Sequence, residues 1–233
     1  ANTTASNNKA VGTSALVANT TGTGNTAVGN ISLDTNTTGN YNSSFGRGSL
    51  HDNTTGASNV AVGASALENN TTASYNTAVG TSALVANTEG HSNVAVGYNS
   101  LDANTTGDYN VALGSYALSA ATTADKNVAI GPGAGQLITT GTGNTAVGAD
   151  ALDACVTGNG NTAVGYTALG ANTTGGNTAF GYEAAYTNTS GSRICAVGYK
   201  TLYANTTGTN NTGVGSQYSG LNGTLGSNTT GTS

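Results

Sequence analysis

Charge is what this chain has least of. Only 6% of its 233 residues are Asp, Glu, Lys or Arg, against about 25% in an ordinary soluble domain. The 5 Lys and Arg are scattered and outnumbered by 10 acids, for a net charge of −5. They build no basic stripe, which excludes nucleic acid as a partner. Met and Trp are absent, there is 1 Pro, and 2 Cys are too few for a disulfide scaffold. Apolar residues reach only 36%, too few large ones to fill a thick globular core. No apolar run approaches the roughly 20 residues of a membrane helix, so no membrane insertion is expected. A signal-peptide pattern is also missing. The chain opens at Ala1 rather than Met, as a processed chain or a fragment does.

What is present is a repeat, and its fixed period is the primary architectural signal. The unit reads N-T-A-V-G-x-x-A-L-x-x-N-T-T-G-x-x. Coils start at Asn8, Asn25, Asn42, Asn59, Asn76, Asn93, Asn110, Asn127, Asn144, Asn161, Asn177, Ile194 and Asn211. The spacing is 17 residues throughout, except 16 between Asn161 and Asn177. We number positions from the opening Asn as 1 and coils from 1 to 13; a fragment of a further unit begins at Asn228. Residues 1–233 therefore form one repeat array.

Most units hold two or more Gly with many Asn and Thr, and their apolar runs are only four or five residues long. That excludes a helical repeat. Short β-rich runs between Gly and Asn read as strands and turns. The expectation is an all-β solenoid or β-roll of about 13 coils, with two short parallel strands per coil, T-A-V-G and A-L-x-x. Coils about 4.8 Å apart give a rod roughly 60 Å long. Like residues then stack, so Asn forms amide ladders and Thr exchanges hydroxyl bonds. The apolar position 4, from Val11 to Val214, and the Leu of A-L are expected to form the core. Neighbouring strand residues point to opposite faces. The Ala positions are therefore expected to line a second face, small enough for an identical chain to pack against. Open strand edges at the rod's ends also invite end-to-end pairing.

The A-V-G and A-L columns resemble the head repeats of YadA-type trimeric autotransporter adhesins. Similar N-T-A-V-G and N-T-T-G arrays occur in phage tail-fibre and cell-surface proteins. The resemblance covers nearly the whole chain, though this unit is longer than that head repeat by its N-T-T-G turn. It implies an extracellular, cell-surface or virion location. The role it implies is a structural or adhesive fibre, or a tail-fibre shaft, whose partners are identical chains and surface glycans or host cells.

Chemistry is sparse. His51 and His91 fall at different positions two coils apart, and no metal-ligating, nucleophilic or phosphate-binding constellation emerges. The chain reads as a non-enzyme needing no cofactor. Cys155 and Cys195 lie about 14 Å apart along the axis, beyond disulfide reach. Asn19, Asn36, Asn53, Asn70, Asn104, Asn172, Asn188 and Asn205 match the N-x-S/T glycan-acceptor pattern in one column. A structural role competes there, because Thr persists where that Asn is replaced at Ala121 and Ile138. Tyr gathers late in the chain: Tyr166, Tyr182 and Tyr199 share one column, Tyr186 and Tyr203 another. These are the candidate contacts for a sugar or a partner. Regular Thr rows suggest a rival function, ice binding.

Overall fold

The computed structural model of the chain describes residues 5–216. It is an all-β solenoid. Thirteen three-residue strands, from β1 (Lys9–Val11) to β13 (Thr212–Val214), form one parallel sheet in chain order. Each pairs in register with its copy in the next coil, as in Lys9 opposite Thr26 and Ala10 opposite Ala27. The repeat fixes that register, since one coil of offset restores every contact. The unit beginning at Asn228 lies outside the described residues.

Each coil contributes one strand rather than two. The A-L segment is a turn, and its Leu has positive φ, as in Leu67 (52°) and Leu101 (52°). Position 7 is also left-handed, as in Ser65 (56°) and Asn99 (49°). A non-glycine residue there costs about 1–2 kcal/mol. The strain is offset by burial, because Leu33 through Leu118, Leu152, Leu169 and Leu202 are fully enclosed. The turn still bonds to the next coil, as where Leu67 N donates to Ala83 O at 3.0 Å.

The strand faces are the reverse of the expectation. Ala27, Ala61, Ala78, Ala95 and the later Ala copies at position 3 are 0–1% exposed, whereas Ala10 in the first coil is exposed. The apolar column at position 4 points outward: Val62 is 38% exposed, Phe45 41%, Phe180 49%, Val11 63% and Val214 66%. Alternation explains it. Asn at position 1 and Ala at position 3 face inward, so positions 2 and 4 must face solvent. The expected Ala-lined outer face therefore does not exist, and the expected Val core is surface. Only the Leu half of the expected core is buried.

Asparagine completes the interior. At position 12, Asn53 Nδ2 donates to Asn36 Oδ1 (2.8 Å) in the coil before and to Gly56 O (3.0 Å) in its own coil. At position 1, Asn93 Oδ1 accepts from Asn110 N (2.9 Å), and Asn110 Nδ2 reaches Ala124 O (2.7 Å). Two amide ladders thus follow the rod, as the sequence predicts, interrupted at position 12 by Ala121, Ile138 and Cys155 and at position 1 by Ile194. Glycine at position 5 is required by conformation as well as space. Gly97 has φ +139°, and a Cβ there stands 2.5 Å from Gly114 O.

Substitutions inside the core come with partners. Gly135 takes the Leu position of coil 8, and Ile138 takes the Asn position; the Ile138 Cδ1 lies 3.0 Å from where a Gly135 Cβ stands. Ser44 replaces Ala at position 3, and its hydroxyl bonds those of Ser32 (2.8 Å) and Ser49 (2.6 Å).

Candidate functional site

The outer strand face is the largest regular surface. Position 4 supplies one Val, Leu, Ile or Phe per coil. Position 2 supplies Thr, Val or Ser, with Cys195 in coil 12 and Lys9 at one end as the one charge. Residues two apart on a strand lie about 6.6 Å apart, and coils about 4.8 Å. Two mostly β-branched lanes therefore run side by side for about 60 Å without a charge after Lys9. Exposed apolar strips of this extent mark interaction surfaces. The sequence signal was available in position 2, whose variety (Lys, Thr, Ser, Val, Cys) marks solvent, and position 4 shares its parity.

A second surface lies in coils 10 to 12. Tyr166, Tyr182 and Tyr199 stack with ring centroids 5.3 and 5.2 Å apart and planes 21° and 13° from parallel. Tyr186 and Tyr203 stack at 5.6 Å and 22°. The five tyrosines predicted as candidate contacts thus form two ladders. Between them, Lys200 Nζ lies 5.6 Å from the Tyr199 centroid and 5.2 Å from that of Tyr203. Its ion pair with Glu183 is 3.1 Å long. That bond to Glu183 raises the Lys200 pKa above its ordinary value. A hydrogen bond to Glu183, followed by desolvation, raises that of Tyr182. Tyr186 leans on Gly170, where a Cβ stands 2.9 Å from its ring.

Three tyrosines that the sequence reading passed over are more exposed still: Tyr41 (68%), Tyr75 (67%) and Tyr109 (60%). They share position 17 in coils 2, 4 and 6, so a coil separates each from the next. Their 34-residue spacing was the available signal. Tyr98 and Tyr116 meet edge to face at 5.4 Å and 86°.

The asparagines of the N-x-S/T column are not a surface. Asn19, Asn36, Asn53, Asn70, Asn104, Asn172, Asn188 and Asn205 are 0–1% exposed. A glycan on such an amide nitrogen would remove its ladder bond and has no room inside the coil, so the expected row of acceptors is overturned. The Thr that follows does not trade hydroxyl bonds with its copies either. Its hydroxyl donates to a main-chain carbonyl one coil on, as from Thr54 Oγ1 to Thr71 O (3.1 Å). The second Thr of the turn is exposed in most coils.

The two histidines stay apart. His51 sits between Asp52 (2.8 Å) and Asp34 (3.6 Å), while His91 Nδ1 accepts from Ser74 N (3.0 Å). Among the described residues no three His, Cys, Asp or Glu are grouped to hold a metal. Asp34, Asp102 and Asp153 have pKa values raised chiefly by burial. The Asp34 and Asp102 Oδ1 atoms are buried without a hydrogen bond. Cys155 and Cys195 are both free, as their spacing predicts. Cys155 fills an Asn position, and burial raises its thiol pKa.

No family model matches the chain, and comparison with curated proteins and with solved structures found no match.

Proposed function

We propose that the chain is a non-catalytic subunit of an extracellular fibre, on a cell surface or a virion, in which identical chains join side by side through the position 4 stripe. The exposed valine stripe carries this reading. A surface with one apolar side chain every 4.8 Å or so interdigitates over its whole length only with one of equal repeat, and a second copy has it. The stripe is about 60 Å by 10 Å, so two copies bury on the order of 1,200 Å² in total, the lower end of a specific interface. Lacking charge, the stripe meets no like-charge repulsion against itself. The resemblance to trimeric adhesin heads and tail-fibre arrays points to the same class of assembly.

The test is a pair of substitutions, Val62→Lys and Val96→Lys, read by light scattering and circular dichroism. The reading expects wild-type oligomers and a folded, monomeric variant. A monomeric wild type at high micromolar concentration contradicts it. One observation favours ice binding as a second reading. The two outer lanes form a regular array of Thr and Val methyls on the sheet itself, which the turn Thr rows do not provide. A thermal-hysteresis assay separates the two, because an ice-binding surface works as a free monomer and loses activity when the stripe carries Lys.

A further inference from the structure

The tyrosine ladders of coils 10 to 12 serve neither the core nor the valine stripe. Tyr166, Tyr182 and Tyr199 are 42–47% exposed. Their rings stack along the rod, so the inner faces cover one another and only the outermost faces stay open. The lower end is informative. Beneath Tyr166 the column continues as Ala149 and then Pro132. A methyl group thus stands where the next ring belongs, which leaves one aromatic face bare above a ring-sized step.

The surroundings of that step are polar but electrically balanced. The two ladders flank Lys200, whose Nζ lies 5.6 Å from the Tyr199 centroid and 5.2 Å from that of Tyr203. That cation is already neutralised by Glu183 at 3.1 Å. Glu183 N donates to Tyr166 O at 2.9 Å, which ties that ion pair to the lowest rung. A flat apolar face beside several hydroxyls and one matched ion pair suits a ligand with an apolar C–H face and a hydroxyl rim. That is the chemistry of a neutral pyranose. An anionic sugar finds no uncompensated cation here.

We propose that this tyrosine-lined face binds a neutral oligosaccharide, with one pyranose stacked under Tyr166 as an added rung and its neighbours bonded to the tyrosine hydroxyls and the Lys200–Glu183 pair. The proposal gives a ligand class to the adhesive part of the fibre reading and is independent of side-by-side assembly.

The experiment titrates the full chain with cellohexaose, chitohexaose and mannohexaose, and with a sialylated hexasaccharide as the anionic comparison. Because the chain has 11 Tyr and no Trp, intrinsic fluorescence reports tyrosine alone. Saturation-transfer NMR identifies the bound ring. At least one neutral hexasaccharide should bind, and the sialylated one more weakly. Tyr166→Ser, which installs a residue this column already holds at Ser115, should weaken binding by about tenfold, the upper range for an aromatic stacking contact. Tyr98→Ser, four coils away, should leave it unchanged. Binding by none of the neutral sugars, or equal affinity in Tyr166→Ser, overturns the proposal. Light scattering on the same samples judges assembly separately: a monomer that binds sugar sinks the fibre and keeps this site.

Discussion

Replacing Asn110 by Ala tests the amide ladders where the chain offers least compensation. Asn110 Nδ2 donates to Ala124 O at 2.7 Å. In most coils a second donor, the Asn at position 12, shares that carbonyl, but coil 7 has Ala121 there. On the other side, Asn110 Oδ1 accepts from Asn127 N (3.0 Å) and Asn127 Nδ2 (3.2 Å). Truncation therefore strands the buried Ala124 carbonyl and the Asn127 N–H together. At about 1–3 kcal/mol for each stranded group, the expected cost is about 2–6 kcal/mol. A repeat array need not unfold in one step, so the assay is hydrogen exchange rather than a single melt. Protection of the Asn127 amide and of the strands on either side, Val111–Leu113 and Val128–Ile130, should fall, while coils 2 to 4 stay as before. Unchanged exchange at Asn127 refutes the ladder as a source of stability.

Other outcomes follow from the same geometry. Gly97→Ala, with φ +139° and a carbonyl 2.5 Å from its Cβ, should cost several kcal/mol in denaturant melts. Gly90→Ala also brings a Cβ to 2.4 Å from Gly107 O, but without a positive φ, and Ala73 and Ala124 already occupy that column, so it should cost less than Gly97→Ala. Gly135→Leu alone should clash with Ile138, yet be tolerated beside Ile138→Asn; a double-mutant cycle should return a coupling of at least about 1 kcal/mol. Burial raises the folded-state pKa of Asp34, Asp102 and Asp153 above 3.8, so each bound proton favours the fold. That contribution is complete below the unfolded pKa and is lost as pH rises through the raised folded value. Circular-dichroism melts should therefore give a midpoint at pH 4 no lower than at pH 7, and a lower one contradicts the assignment.

The period, the parallel stacking and the Asn ladders were legible because each is a property of columns rather than of single residues. What the sequence concealed was direction. In T-A-V the larger residue suggests the core, but the interior already holds two Asn, two small residues and one Leu per coil, which leaves room for Ala alone at position 3. The parity of Asn8, Ala10, Asn25 and Ala27 held the answer, since positions 1 and 3 share a face. The second strand failed for a local reason. A-L carries strand-like residues, yet the chain must turn there, and it does so with Leu in a left-handed conformation that propensity disfavours. The N-T-T columns read equally well as glycan acceptors or ladders, and only the burial of Asn36 and Asn53 decides between them. The tyrosine ladders were legible as shared columns. Lys200, which sits between them, was not, because Lys occurs once in a position that otherwise varies among Ser, Asn, Thr, Asp, Glu, Gln, Gly, Ile and Tyr.

The central claim is that the stripe from Val11 to Val214 faces outward and is covered by copies of the same chain. Cryo-electron microscopy of the assembled particle tests it directly in cross-section. The account predicts two or more solenoids side by side, with Val62, Val79 and Val96 of one against the same stripe of its neighbour and the Ala and Asn columns inside each coil. A single solenoid with that stripe bare to solvent, or copies joined through the N-T-T-G edge instead, contradicts it.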